Sequence, residues 1–400
     1  MNSEENTDSI PIDLILDILS RLPSKSIARC RCVSKLWESM IRQSYFTELF
    51  LTRSSSRPHL LIAVEQEGEW KFFSLPQPKN YLGKSSLVVA ANLHLKFFED
   101  KRPQHGCSYA SSLIYFPNMT IRKKGDDHLG VICNPSTGQY GYVILPPLLD
   151  FKSVPYGKFL GFDPIDKQFK VLIPIFDFDK HQTDHHILTL GAETVGWRKI
   201  QSPLRYLPHS NGTICINGIL YYLAKINYAM DKNVLVCFDV RSENFVFLRL
   251  NTYCSSTKLV NYKGKLGMIN QEYVDDGGFP LKLSVWVLED VGKEEWSTYV
   301  YTLRDDNKVD QVKYNLSVVG VTASGEIVLV KKTQTLKPFY VLYFNPDKNT
   351  LLTVEVKGLH RGLYAVHRIY AFVDHVEDLE FNIMKTTYAA KSKFSQEDRF

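Results

Sequence analysis

The 400-residue sequence has little that would place it in a membrane or outside the cell. Its longest apolar runs, Ile219–Ala224 and Phe339–Phe344, are far too short to cross a bilayer. Residues 1–9 (MNSEENTDS) contain no basic segment followed by an apolar one, so we expect no secretory signal. The seven cysteines form no C-x-x-C pair, which argues against a zinc ribbon. We therefore expect a protein of the cytoplasm, the nucleus or both, without a membrane partner.

The chain also has little excess of one sign of charge over the other. Lys and Arg together number 48 and Asp and Glu 43, scattered along the chain, for a net charge of +5. A protein that binds nucleic acid through bulk charge would carry a basic stripe, so we expect no nucleic-acid partner. Residues 1–50 hold six basic and seven acidic side chains, which argues against a DNA-reading helix-turn-helix there.

Motifs for common chemistry are missing as well. We find no Walker loop, G-x-G-x-x-G, H-E-x-x-H, G-x-S-x-G or EF-hand loop. One group of side chains offers the hard and borderline ligands that metals prefer: Asp177, Asp179, His181, Asp184, His185 and His186. A polar loop between two strands explains this group more simply, so we expect no metal and no cofactor.

Residues 10–43 are free of glycine and have helical spacing. Pro11 suits the first turn of a helix, and Pro23 ends that helix. Ser24 can cap a second helix. A third amphipathic helix follows from the spacing of five apolar residues: Val33, Leu36, Trp37, Met40 and Ile41.

The first of these helices is more apolar than one small core requires. At about 100° per residue, its Leu and Ile side chains cover an arc of roughly 200°, whereas packing on one core needs about 100°. Each uncovered Leu or Ile would forgo roughly 1.5–3 kcal/mol of burial. Either a partner protein covers the surplus face, as a groove covers a helix, or the rest of this chain does. We favour the partner.

A set of short motifs in this segment carries a resemblance: Ile10-Pro11, Asp13-Leu14, Ile18-Leu19, Arg21-Leu22-Pro23, Lys25-Ser26-Ile27, Arg29, Arg31-Cys32-Val33-Ser34-Lys35 and Trp37. The segment resembles the F-box, a three-helix module that docks onto a Skp-family adaptor, and in particular its plant form. The resemblance implies a set of residues for adaptor binding or for the helix packing behind it: Ile10, Pro11, Leu14, Ile15, Ile18, Leu19, Leu22, Pro23, Ile27, Val33 and Trp37.

Beyond residue 58 the pattern is that of short strands. The chain has 23 Phe, 22 Tyr and 5 Trp, and aromatic residues favour strands. Polar residues that end apolar runs recur at steps of about 50 residues: Asn134, Asp239, Asp290 and Asn345, with one unit unmarked between the first two. A four-stranded unit with this repeat is typical of a β-propeller.

We therefore predict a small three-helix module followed by a β-propeller of about six blades, with a pair of β-sandwiches as the alternative fold. Residues 364–373 would return to complete the first blade. The predicted boundaries are a disordered N-terminus 1–9, the helical module 10–50, a linker 51–58, the β domain 59–380 and a flexible tail 381–400. The β region also resembles the plant F-box-associated domains of the propeller type, through Asn134-Pro135, Thr137-Gly138 and Gly161-Phe162-Asp163-Pro164.

The two resemblances imply the substrate-receptor subunit of an SCF-type ubiquitin ligase. The helical module would bind a Skp-like adaptor and, through it, cullin and RING subunits, while the β domain would hold a target protein. The chain itself would catalyse nothing and would act by proximity. The alternative function is a propeller enzyme or ligand-binding protein with an unrelated helical cap, since the fold does not exclude it.

Overall fold

A computed structural model describes most of the chain: residues 10–66, 69–78, 86–90, 92–98, 106–117, 129–146, 153–155, 157–177, 179, 182–192, 196–226, 232–250, 257–273, 281–303, 316–331, 339–358, 366–381 and 383. The N-terminal segment 1–9, for which we predicted disorder, lies outside these residues. So does most of the predicted flexible tail, from residue 384 to residue 400.

The described chain opens with four helices, α1 (Ile12–Leu19), α2 (Ser24–Arg31), α3 (Lys35–Ile41) and α4 (Ser44–Ser55). Pro11 and Pro23 precede α1 and α2. Ser34 caps α3, because its side chain accepts a hydrogen bond of 3.2 Å from the backbone N–H of Trp37. These four helices, residues 10–55, are called the helical module below.

The prediction of three helices is wrong, because α4 was missed. Phe46 and Phe50 lie one turn apart on α4 and are buried in the core of the helical module. This packing carries the helix to Ser55, so most of the stretch predicted as a linker, 51–58, is helical. Ser24 also differs from the prediction, since it is the first residue of α2 and not its cap.

The rest of the described chain forms strands. Their bounds are β1 (His59–Gln66), β2 (Glu69–Pro76), β3 (Ser86–Ala90), β4 (Asn92–Phe98), β5 (Ser108–Ala110), β6 (Leu113–Phe116), β7 (Leu129–Asn134), β8 (Gln139–Ile144), β9 (Ser153–Pro155), β10 (Phe159–Asp163), β11 (Gln168–Asp177), β12 (Gln182–Thr189), β13 (Arg198–Ile200), β14 (Leu207–Ile216), β15 (Ile219–Ile226), β16 (Lys232–Asp239), β17 (Phe245–Leu250), β18 (Lys258–Tyr262), β19 (Lys265–Tyr273), β20 (Leu281–Asp290), β21 (Glu295–Leu303), β22 (Leu316–Val321), β23 (Ile327–Lys331), β24 (Phe339–Asn345), β25 (Thr350–Lys357) and β26 (Val366–His375).

These strands form six sheets, which are the blades of a propeller. In chain order the blades are β26-β1-β2-β4, β5 to β8, β10 to β13, β14 to β17, β18 to β21 and β22 to β25, numbered one to six. Contacts between blades join the first strand of one blade to the first strand of the next. These first strands form the inner ring: β26, β5, β10, β14, β18 and β22. The prediction of about six blades is confirmed.

The ring is closed by the last strand of the chain. β26 pairs antiparallel with β1, so the final strand supplies the innermost strand of blade 1, as predicted for residues 364–373. A second connection lies outside, where β3 leaves blade 1 and pairs in parallel with β25 of blade 6. Six apolar clusters fill the six junctions between neighbouring blades, so the core is a closed series of layers.

The polar residues that mark the repeat close tight turns. Asp239, Asp290 and Asn345 end the third strand of their blades, and each side-chain oxygen accepts a hydrogen bond of 2.8–2.9 Å from a backbone N–H two or three residues on. Asn134 does the same in blade 2 at 2.9 Å. The sequence period therefore reports one turn per blade.

Among the described residues, no helix is both long and apolar enough to span a membrane.

Candidate docking surface

Helix α1 has apolar side chains on two sides. Leu16 and Leu19 are buried in the core of the helical module. Leu14 and Ile18, on the other side, are each 55% exposed. The described part of the propeller therefore does not cover the surplus face of α1, which was the alternative to a partner protein.

Exposed apolar side chains concentrate in the helical module. Among the described residues, 15 large apolar side chains are exposed, and seven of them lie between residues 10 and 45. Val33 and Leu36, around the start of α3, are 66% and 64% exposed. Exposed apolar patches on soluble proteins typically mark interaction sites, so this module carries the candidate docking surface: Ile10, Ile12, Leu14, Ile18, Val33 and Leu36.

The residues predicted for adaptor binding divide into three groups. Six are exposed and available to a partner: Ile10, Pro11, Leu14, Ile18, Pro23 and Val33. Ile15, Leu22 and Trp37 are half-buried against the helical core. Leu19 and Ile27 are buried, so their role is to pack the helices and not to touch a partner.

Two exposed apolar residues were missing from that prediction, Ile12 and Leu36. Leu36 lies in the first turn of α3, whereas Val33 precedes the Ser34 cap. The sequence predicts Leu36 in an amphipathic helix, but it does not mark this side chain as exposed. Nothing in the sequence marks Ile12 as more exposed than Ile15.

Asp17 fixes the orientation of α1 against α4. Its carboxylate accepts a hydrogen bond of 2.8 Å from Arg21, two residues after the end of α1, and another from Arg53 on α4. These pairs lie beside Ile18, on the polar edge of the exposed apolar face. They hold α1 so that its outer side chains stay directed away from the core.

The segment after β26, residues 376–381 with Ile383, runs between the helical module and the propeller and is called the strap here. Glu377 is buried, and its carboxylate accepts hydrogen bonds from the backbone N–H of Ser24 (3.1 Å) and from the Ser24 hydroxyl (2.6 Å). Its own backbone N–H donates to the Ser54 hydroxyl at 2.8 Å. Leu379 packs against the core of the helical module. The strap thus binds both α2 and α4.

The other side of the strap binds blades 2 and 3. The carboxylate of Asp378 accepts a hydrogen bond of 3.0 Å from Ser112, and its carbonyl accepts one of 3.1 Å from Asn134. Burial raises the pKa of Asp378 above its ordinary value. The ring of Phe381 lies 4.6 Å from that of Phe169, and Ile383 is buried. The prediction of a flexible tail from residue 381 is therefore wrong for Phe381 and Ile383, which pack into the core.

The helical module occupies one face of the propeller. Lys167, in the turn between β10 and β11, pairs with Glu48 of α4 at 3.4 Å. The strap contacts turn 111–112, and His375 at the end of β26 contacts Ser136 in turn 135–138. All of these turns join first to second or third to fourth strands of a blade, so they lie on one side, which we call the turn face. The connections between strands that end at the opposite side, the loop face, are longer in sequence. Examples are 274–280 within blade 5 and 304–315 between blades 5 and 6, against 263–264 and 291–294 at the turn face.

The residues considered as metal ligands do not converge. Asp184, His185 and His186 lie within β12 and not in a loop, so their side chains alternate between the two faces of the strand. His185 is buried, and Asp184 pairs with Lys199 at 2.5 Å. Asp177 ends β11, and His181 lies outside the described residues. The part of the chain that the structure describes gathers no group of three or more possible metal ligands.

The arrangement matches known families over nearly the whole chain. Residues 8–49 match the F-box domain, and residues 59–376 match the F-box associated beta propeller domain. A protein of Arabidopsis thaliana named as an F-box protein is 54% identical over 403 residues, covering 97% of this chain and 96% of that protein. F-box only protein 12 of the same plant is 49% identical over 397 residues, covering 96% of this chain and 85% of that protein.

Solved structures are similar only in a general way. The β-propeller domain of the Trilobed protease from Pyrococcus furiosus has a TM-score of 0.37 and 12% identity, over 64% of this chain and 72% of that one. Similarity at this level carries no argument about this chain.

Proposed function

Because the chain belongs to the plant F-box proteins that carry an F-box-associated β-propeller domain, we propose that it is the substrate receptor of an SCF-type ubiquitin ligase. The helical module binds a Skp-like adaptor and, through it, cullin and RING subunits. The propeller binds a target protein. The single observation that carries the proposal is the exposed apolar face of α1, with Leu14 and Ile18 uncovered by the rest of the described chain.

Burial energetics support an adaptor at this face. Two side chains such as Leu14 and Ile18, each about half exposed, leave on the order of 1–3 kcal/mol of transfer free energy unrealised. A partner that supplies an apolar groove recovers this free energy and turns a helix face into a docking site. The buried residues Leu19 and Ile27 keep that face in place from behind.

The topology supports the loop face as the target-binding side. The helical module and the strap lie at the turn face, so a target there would compete with them for space. The loop face carries the longer connections, and binding residues are commonly placed on loops held by a rigid scaffold. The target would then be held on the side of the ring that faces away from the helical module.

The mechanism in this proposal is proximity. The chain performs no bond chemistry, and holding a target beside a charged conjugating enzyme raises the effective concentration of the target's lysines. The strap and the Lys167–Glu48 ion pair connect the two modules and reduce the freedom between them, which keeps that distance defined. The same proposal places the protein in the cytoplasm, the nucleus or both.

Affinity capture with a docking-face variant tests the proposal. In Leu14→Asp/Ile18→Asp both changes fall on exposed positions, so we expect the fold to survive and adaptor capture to fall by at least about tenfold, since two apolar contacts become charged. Ile165→Asp is the matched control, because Ile165 is 69% exposed on the propeller and should not affect the adaptor. Unchanged adaptor capture by the folded double variant would contradict the proposal.

The same experiment separates target binding from adaptor binding. The double variant should retain targets, which then accumulate because they are not ubiquitinated. Replacing 274–280 at the loop face with a Gly-Ser segment should reduce the captured targets, whereas replacing 346–349 at the turn face should not. Loss of targets on the second replacement alone would place target binding at the turn face instead.

A further inference from the structure

A pocket lies where the helical module meets blade 1. Its volume is about 550 Å³, within the range of small-molecule sites. The helical side of the lining comes from the α1–α2 junction, α2 and the end of α4, and the propeller side from β1, β2 and Glu377 of the strap. Neither the docking surface on α1 nor the loop face uses this pocket.

The lining is strongly basic. Four cationic side chains line the pocket, Arg21, Lys25, Arg29 and Arg57, against the single carboxylate of Glu377. Both oxygens of that carboxylate already accept hydrogen bonds from Ser24. The pocket therefore has a surplus of positive charge, although residues 1–50 as a whole are slightly acidic.

Two of the guanidinium groups are not neutralised. The guanidinium of Arg29 makes no hydrogen bond or ion pair with any described residue, and its side chain is exposed. Arg57 donates to the backbone carbonyls of Arg21 (2.9 Å) and Arg53 (3.5 Å), and it has no carboxylate partner in the described part of the chain. Arg21 differs, since its charge is paired with Asp17.

Two of the cationic side chains lie close together on α2. Lys25 and Arg29 are four residues apart on α2, a spacing at which like charges repel. His59, also in the lining, has its ring nitrogen Nδ1 buried without a hydrogen-bond partner among the described residues, and burial lowers its pKa. A neutral histidine in this position offers a further donor or acceptor for a polar ligand.

We propose that this pocket is an anion site that binds a phosphate-bearing ligand between α2 and blade 1. Arg29 and Arg57 supply planar guanidinium groups, which suit the tetrahedral, multiply charged oxygens of a phosphate. Lys25 adds positive charge to the lining, and the Ser26 hydroxyl lies in the same lining. A ligand held there contacts both modules and stiffens their junction.

Titration of the full chain with sodium tripolyphosphate at 150 mM salt tests the proposal. We expect saturable binding, and we expect Arg29→Gln to weaken it by about tenfold or more, because a charge-assisted contact is lost. The Arg29 side chain is exposed and has no hydrogen-bond or ion-pair partner among the described residues, so this variant should leave folding intact. Arg57→Gln should weaken binding similarly.

Arg205→Gln is the matched control, since it removes the same charge from an exposed position outside the pocket lining. It should change the affinity by less than about twofold, as expected for screened charges at this salt. Absence of saturable binding would overturn the proposal, as would equal weakening by Arg205→Gln and Arg29→Gln.

A second arm identifies the source of the phosphate. Displacement of tripolyphosphate by a phosphoserine peptide, but not by its unphosphorylated form, would indicate a phosphorylated protein segment. Failure of the peptide to compete would indicate a soluble polyphosphate. These measurements need no adaptor, so their outcome is independent of the proposed receptor function.

Discussion

At the scale of single residues, His185 is a titratable side chain in the buried core, where a charged ring would be unfavourable. It is fully buried between blades 3 and 4, and its Nε2 lies 2.6 Å from the hydroxyl of Tyr206, which in turn contacts the hydroxyl of Tyr222. Nδ1 has no partner among the described residues. Burial lowers the pKa of His185 to about 3, so the folded protein keeps this ring neutral.

This neutral histidine predicts an acid-sensitive fold. The pKa of His185 is lower in the folded chain than its ordinary value of 6.5, so the unfolded state binds the proton more tightly. The contribution of this group to stability is complete above about pH 6.5 and is lost progressively as the pH falls toward 3. Between pH 6.5 and pH 5 the free energy of unfolding should fall by about 2 kcal/mol from this residue alone.

Thermal unfolding of His185→Gln against pH measures this effect. Glutamine does not titrate and can still bond the Tyr206 hydroxyl, so the variant should lose less stability than the parent between pH 6.5 and pH 5. His186→Gln is the neighbouring control, because His186 is only half-buried and should contribute less. An unchanged pH slope in His185→Gln would show that another group controls acid stability.

The residue types along the sequence predicted the positions of the turns better than they predicted which side chains form the docking surface. Asp239 and Asp290 close their turns through bonds to residues two or three positions on, and such local chemistry is visible in a sequence. Leu14 and Leu19 are both leucines on the same helix, yet Leu14 is exposed and Leu19 is buried. Which apolar side faces inward depends on distant packing partners, so the sequence could not separate docking residues from core residues.

At the scale of elements, the strap is the piece that joins the two modules. It follows β26 directly, so the strand that closes the ring also places Glu377 at the start of α2. A carboxylate there interacts favourably with the positive end of the helix and satisfies the Ser24 N–H. These contacts connect residues more than 320 positions apart.

Glu377→Ala should loosen the junction between the modules. The change leaves the buried N–H and hydroxyl of Ser24 without their acceptor, which should cost about 1–3 kcal/mol. We expect a lower unfolding temperature and faster proteolysis between the helical module and the propeller.

The matched control is Glu380→Ala in the same strap. Glu380 forms an exposed ion pair with Lys167 at 3.5 Å, and such pairs contribute at most about 1 kcal/mol. If the two alanine variants are equally stable, the Glu377 contacts do not hold the junction.

The strap and α4 are the elements that the sequence did not reveal. The strap is short, and its partners Ser24 and Ser54 are remote in sequence, so no local pattern marks it. In α4, the run Arg53-Ser54-Ser55-Ser56 has the composition of a linker, although Ser54 is buried against the strap. Contacts between residues remote in sequence therefore determine the structure of both the strap and the end of α4.

At the scale of the whole molecule, we propose that adaptor binding and target binding use different parts of the fold. The ring is closed by β26 inside and connected again by β3 outside, and its core consists of layers between blades. The turn face carries the helical module. The repeat near 50 residues predicted the blades because each blade is one turn-bounded unit, but no repeat indicates which face the helices occupy.

The most direct test of the account is a map of surface protection on adding a Skp-like adaptor to the full chain. Hydroxyl-radical footprinting reports side chains that become covered. We predict protection of Leu14, Ile18, Val33 and Leu36, and no protection of Ile165 on the propeller or of the already buried Leu19. Protection confined to the propeller, with Leu14 and Ile18 as reactive in the complex as in the free chain, would contradict the account.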